Sequence, residues 1–99
     1  MKVHWTETAL SHLDAIHAYI SGDSPQYARK MIDRLTRRSQ QIALFPRSGR
    51  LVPEYEVETI RELIEGPFRL IYRIQPERID VLAVVHEARS TIGITTDEQ

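Results

Sequence analysis

Phe68-Arg69-Leu70-Ile71-Tyr72-Arg73-Ile74-Gln75-Pro76-Glu77-Arg78-Ile79-Asp80-Val81-Leu82-Ala83-Val84-Val85-His86 holds two strand patterns of different kinds, separated by a turn. From Phe68 to Ile74 the residues alternate. Phe68, Leu70, Tyr72 and Ile74 share one side, and Arg69, Ile71 and Arg73 share the other, which is the period of a strand with one face on a core. From Ile79 to His86 the run is almost continuously apolar, which predicts a central strand covered on both faces. Gln75-Pro76-Glu77-Arg78 offers the simplest connection between them, an antiparallel one. A sheet is therefore expected, and the rest of the chain must supply its remaining strands and the layer packed on it.

Upstream, Thr59 to Ile64 alternates less regularly and forms a third strand, joined to the next through the turn Glu65-Gly66-Pro67. Lys2-Val3-His4-Trp5 reads as a short first strand, and Thr6 is placed to cap a helix beginning at Glu7. Ala9, Leu13, Ile16 and Ile20 recur at helical spacing, with Leu10 and Tyr19 widening the stripe. Ser21-Gly22-Asp23 breaks this helix. Ser24 then caps a second one whose first position is Pro25, where a missing N–H is harmless. Ala28, Met31, Ile32, Leu35, Ile42 and Phe45 form its apolar stripe, and Phe45-Pro46 ends it. The predicted architecture is α+β: an N-terminal strand and an antiparallel helical hairpin packed on one face of a twisted, mainly antiparallel sheet of about four strands.

With 99 residues, 41% hydrophobic and 27% charged, the chain fits one domain spanning 1–99. Cysteine is absent, which excludes disulfides, thiolate nucleophiles and cysteine-ligated zinc. The longest purely apolar stretch, Val81 to Val85, is far short of the ~18–20 residues that span a bilayer, so a cytoplasmic protein without a membrane partner is expected. Gly22, Gly49, Gly66 and Gly93 form no phosphate-binding loop, and His4, His12, His17 and His86 form no metal motif. Neither cofactor nor metal is expected.

The formal net charge of -1 conceals a segregation. Arg29, Lys30, Arg34, Arg37, Arg38, Arg47 and Arg50 face only Asp33 in their stretch, whereas Glu54, Glu56, Glu58, Glu62 and Glu65 surround only Arg61. Distinct basic and acidic surfaces are expected. Arg69 and Arg73 are expected to line the sheet face that the helices leave open. Metal-free phosphodiester cleavage needs a base, an acid and cations to stabilise the developing charge. Histidine is the side chain suited to proton transfer near neutral pH, which makes His86 the candidate for that role, and Arg61, Arg69, Arg73 and Arg89 supply charge. The same residues also suit purely structural roles at the sheet edge.

The order of short signatures resembles the ParE/RelE superfamily of toxins from bacterial type II toxin–antitoxin systems, over nearly the whole chain. Trp5-Thr6 with Ala9, Leu13 and Ile16 looks like the family's first helix, and Ser24-Pro25 with Ala28 the start of its second. Phe45-Pro46-Arg47-Ser48-Gly49-Arg50 is similar to its Phe-Pro-x-x-Gly-Arg turn and Arg61-Glu62-Leu63 to its Arg-Glu-Leu strand. Phe68-Arg69-Leu70-Ile71-Tyr72-Arg73 resembles its aromatic-Arg-x-x-Tyr-Arg strand, and His86-Glu87-Ala88-Arg89 its His-x-x-Arg ending. The resemblance implies a toxin neutralised by an antitoxin that folds as it binds. The ParE branch, to which the helical hairpin, turn and Arg-Glu-Leu strand look closer, implies inhibition of DNA gyrase without intrinsic catalysis. The RelE branch implies cleavage of messenger RNA on the ribosome, with His86, Arg61, Arg73 and Arg89 at the site. That branch usually carries a lysine-rich site and a late tyrosine, whereas the lysines here are Lys2 and Lys30 and no tyrosine follows Tyr72. A third implication is an antitoxin-binding domain that has lost toxicity.

Overall fold

Two side-chain caps set the helical layer. In the computed structural model, which describes residues 1–87, the Thr6 hydroxyl accepts the Ala9 N–H at 3.1 Å and donates to the carbonyl of Val81 at 2.9 Å. The start of α1 (Glu7–Ser21) is thereby tied to the sheet. Ser24 accepts the Tyr27 N–H at 3.2 Å and Pro25 opens α2 (Pro25–Leu44), as the start signals predict. A turn of 3-10 helix, Pro46–Ser48, follows.

The strands are β1 (Lys2–Trp5), β2 (Arg50–Leu51), β3 (Ile60–Glu65), β4 (Phe68–Ile74) and β5 (Arg78–His86), in the spatial order β1-β5-β4-β3-β2. β1 runs parallel to β5 and the other neighbours are antiparallel. This is the expected architecture with a fifth strand added. β2 has only two residues, too few for any periodicity to mark. Gly66 adopts a φ of 58° in the β3–β4 turn, a conformation that suits glycine.

A bulge explains why β5 reads as uninterrupted apolar sequence. Ile71 pairs with Ala83 but Tyr72 pairs with Val81, so Leu82 is an extra residue on its strand. Val81 and Val84 join the helix-side core with Ala9, Met31, Leu35, Ile42, Leu70, Tyr72 and Ile79. Leu82 and Ala83 turn to the opposite face with Val52, Ile60 and Ile71, where Tyr55 and Val85 pack on them. The opposite face is therefore not open, as the alternation led us to expect. It carries a second small core beneath the segment 52–59, because alternation shows which way a side chain points but not what lies above it.

Two helix-stripe expectations also change. Tyr19 is 85% exposed and Leu10 is exposed, so α1 meets the sheet along a narrow row of Ala9, Leu13, Ile16 and Ile20. Phe45 is 67% exposed because its φ of -135° takes it out of helical phase; the buried row of α2 runs through Ser39 to Ile42 instead.

Candidate functional site

The basic and acidic stretches do not form separate surfaces; they fold onto each other. Arg34 reaches Glu65 at 2.7 Å and Arg38 at 3.0 Å, Arg50 reaches Glu62 at 2.6 Å, and both Arg47 and Arg61 hold Glu58. The cause is topological, since β2 and β3 bring the residues after α2 back beside it. The hydrogen bond from Arg61 is the chief reason that the Glu58 carboxyl lies below its ordinary pKa. Arg29, Lys30 and Arg37 stay exposed on α2, in no ion pair among the described residues.

Arg69 does turn away from the helices, yet it is 5% exposed, with the segment 52–59 above it. Its Nε donates to Glu62 at 2.6 Å, and its two terminal nitrogens donate to the two oxygens of Glu54, each at 2.9 Å. Glu62 is itself 1% exposed and is shared between Arg69 and Arg50. A buried carboxylate is tolerated only with such pairing. The hydrogen bonds to Glu54 and then Glu62 push the Arg69 guanidinium above its ordinary pKa. This network pins the outer segment to the sheet and leaves Arg69 and Glu62 almost no exposed surface. Glu54, read from sequence as part of an acidic loop, is the residue that makes the pin bidentate.

The turn after α2 is locked from β3 and β4. Tyr72 Oη donates to the carbonyl of Pro46 at 2.6 Å and accepts the N–H of Gly49 at 3.1 Å. Arg61 donates to the carbonyl of Gly49 at 2.9 Å and to that of Glu58 at 3.2 Å. Burial pushes the Tyr72 phenol above its ordinary pKa, so the hydroxyl keeps the proton that it donates. Tyr72→Phe is expected to cost about 1–2 kcal/mol, since it leaves the buried Gly49 N–H unpaired. A lowered urea midpoint with an unchanged slope checks this.

The remaining candidates lie apart. Arg61 pairs in register with Tyr72, on the helix side, whereas Arg73 pairs with Ile60 and Asp80 on the outer face. Arg73 is half-buried and in no ion pair among the described residues. His86 is exposed at the end of β5, opposite Phe68, their rings meeting edge-on at 6.1 Å. The five residue steps along β4 between Phe68 and Arg73 separate them by about 17 Å. Arg61, Arg73 and His86 therefore do not converge on one point, and Arg89 lies outside the described residues. Trp5 and Leu63 pack against the helix-side core. Leu44, 73% exposed, and Phe45 line a shallow notch of about 730 Å³ with Met1, Pro46, Ile74 and Pro76.

Sequence reasoning missed one further residue. His12 accepts the Val84 N–H through Nδ1 at 3.1 Å. Its place on α1, three residues after Ala9 and four before Ile16, was the available signal that it faces the sheet.

Comparison with known proteins agrees with this arrangement. A family model described as the ParE toxin of the type II toxin–antitoxin system parDE matches residues 3–91. The protein Y4kP of Sinorhizobium fredii is 33% identical over 87 residues, covering 86% of each chain. Toxin RelE2 of Caulobacter vibrioides is 34% identical over 89 residues, which cover 89% of this chain and 97% of that protein. Among solved structures, a chain of the chromosomal ParDE TA system from P. aeruginosa superposes with a TM-score of 0.72 at 27% identity, covering 87% of this chain and 95% of that one.

Proposed function

Because this chain belongs to the ParE toxin family and is the toxin component of a type II toxin–antitoxin module, we propose that it arrests growth by inhibiting DNA gyrase in the cytoplasm and is silenced by a cognate antitoxin. The observation that carries this reading is the family match over residues 3–91, in the ParE branch of the superfamily. The geometry supports it. Arg61 and Arg69 are committed to internal carbonyls and carboxylates, and Arg73 near one end of β4 and His86 of β5, beside the other end of β4, lie on opposite faces of the sheet, which suits surface contact better than concerted proton transfer. Arg73, His86 and Arg89 are the proposed contact residues. Among the described residues no helix is long and apolar enough to cross a membrane.

Protein freed of its antitoxin is expected to block supercoiling by purified gyrase, and prior addition of the antitoxin to abolish the block. Full supercoiling at a large excess of toxin overturns the proposal. Messenger RNA cleavage on the ribosome is the second reading, favoured by the similarity to a protein named toxin RelE2. It predicts translation-dependent cuts that vanish in His86→Ala and Arg73→Ala proteins that remain folded. Tight antitoxin binding with no growth arrest marks a domain without toxicity.

A further inference from the structure

Between β1 and the end of β5 the sheet has a gap in its edge. β1 pairs with β5 only from Arg78 to Val81, after which the chain turns into α1, while β5 continues to His86. Two side chains of the helical layer take over where the strand stops. Thr6 donates to the carbonyl of Val81, and His12 accepts the N–H of Val84 through Nδ1. We propose that His12 is a pH-sensitive plug: neutral, it holds the Val84 N–H and closes the edge of β5; protonated, it releases that edge and loosens α1 from the end of β5.

The acceptor capacity of the ring decides whether the contact can exist. A neutral imidazole has one acceptor nitrogen, and here that nitrogen is Nδ1, so Nε2 carries the proton. Protonation places an N–H on Nδ1 facing the Val84 N–H, two donors with no acceptor between them. The contact must open, because the group that pairs this backbone donor among the described residues has become a donor itself.

Among the described residues, the positions packed around the ring carry few charges. On α1 the positions one turn away, Thr8, Ala9, Ala15 and Ile16, are uncharged, and so are the buried α2 residues Ala28, Met31 and Leu35. On β4, Leu70 lies opposite Val84, while Arg69 is on the other face with Glu62 and Glu54. On β5, Asp80 is at the far end, held by Arg78 and Gln75, and on β1, His4 pairs in register with it. Among the described residues, the titratable group next along β5 on the helix side of Val84 is His86, opposite Phe68. Burial lowers the His12 pKa below its ordinary 6.5. The unfolded chain therefore takes up the proton first. Stability from this contact is full above about pH 6.5 and falls away as the pH drops through the lower, folded-state value.

The test is an NMR titration of the whole protein from about pH 8 to about pH 5, the range in which histidine changes charge. The Val84 amide shift and the His12 ring nitrogens are expected to move with one shared midpoint, below that of an exposed histidine. Exchange of the Val84 amide, corrected for its intrinsic pH dependence, should accelerate about tenfold or more across it. His12→Asn keeps an acceptor, Oδ1, at the same number of bonds from the backbone and cannot titrate, so its Val84 exchange should be flat over this range. His86→Gln should leave the wild-type midpoint in place. A Val84 shift that follows His86, or one that stays still while His12 titrates, overturns the proposal. A His12→Asn protein that retains the wild-type pH dependence does so too. If His12→Asn does not fold, the wild-type and His86→Gln titrations decide the question alone.

Discussion

Arg69→Met is expected to lower the unfolding free energy by about 3 kcal/mol, a large share of the ~5–15 kcal/mol typical of a domain. The substitution removes a guanidinium that bonds Glu62 at 2.6 Å and both oxygens of Glu54 at 2.9 Å. Glu62 is then left buried with Arg50 alone, whose own side chain is mostly in solvent. Breaking a buried pair from one side leaves an uncompensated charge, which costs more than the pair contributes. The expected loss is at the lower end of the range, because only the segment 52–59 separates this site from water. Adding Glu62→Leu to Arg69→Met should recover most of the loss, since Arg50 and Glu54 then turn to solvent. Urea denaturation of the single and double variants at neutral pH is the measurement. A single variant within about 1 kcal/mol of wild type would show that the network is decoration.

Gly49→Ala should lose about 2–3 kcal/mol, through overpacking together with broken hydrogen bonds. The backbone angles at Gly49, φ -76° and ψ 158°, suit any residue, so conformational freedom is not the reason for glycine. Space is. A methyl group there would stand 2.5 Å from Tyr72 Oη and 2.7 Å from the carbonyl oxygen of Glu62. The carbonyl belongs to β3 and cannot yield easily, so the ring of Tyr72 must move, giving up both Pro46 and Gly49. The two sites are therefore coupled, and Gly49→Ala should cost less in a Tyr72→Phe background than in wild type. A double-mutant cycle measures the difference, and strict additivity would refute the coupling.

Both predictions concern signatures that stood out in the sequence for reasons the sequence could not supply. Arg61-Glu62-Leu63 and Phe68-Arg69-Leu70-Ile71-Tyr72-Arg73 are legible as strands because every second side chain shares a face. That Arg69 and Glu62 form a buried pair, and that Tyr72 closes on Gly49, depends on pairings between residues 7 and 23 positions apart. The charge blocks misled for the same reason. Counting along the chain separates Arg34 from Glu65, but the fold places them 2.7 Å apart. His12 lay on a readable helix face, yet its partner is the backbone N–H of Val84, 72 residues later, which periodicity cannot indicate.

What the sequence determined by itself is the set of elements and their inner faces. Thr6, Ser24-Pro25 and the helical and strand periods act over a few residues, and local sterics and hydrogen bonds decide them. The tertiary structure decided which charges are buried, which face of the sheet is covered and which side chains close its edge. Those outcomes depend on what desolvates each group, and for a residue such as Arg69 the answer is supplied by a segment that touches it only once the sheet has formed.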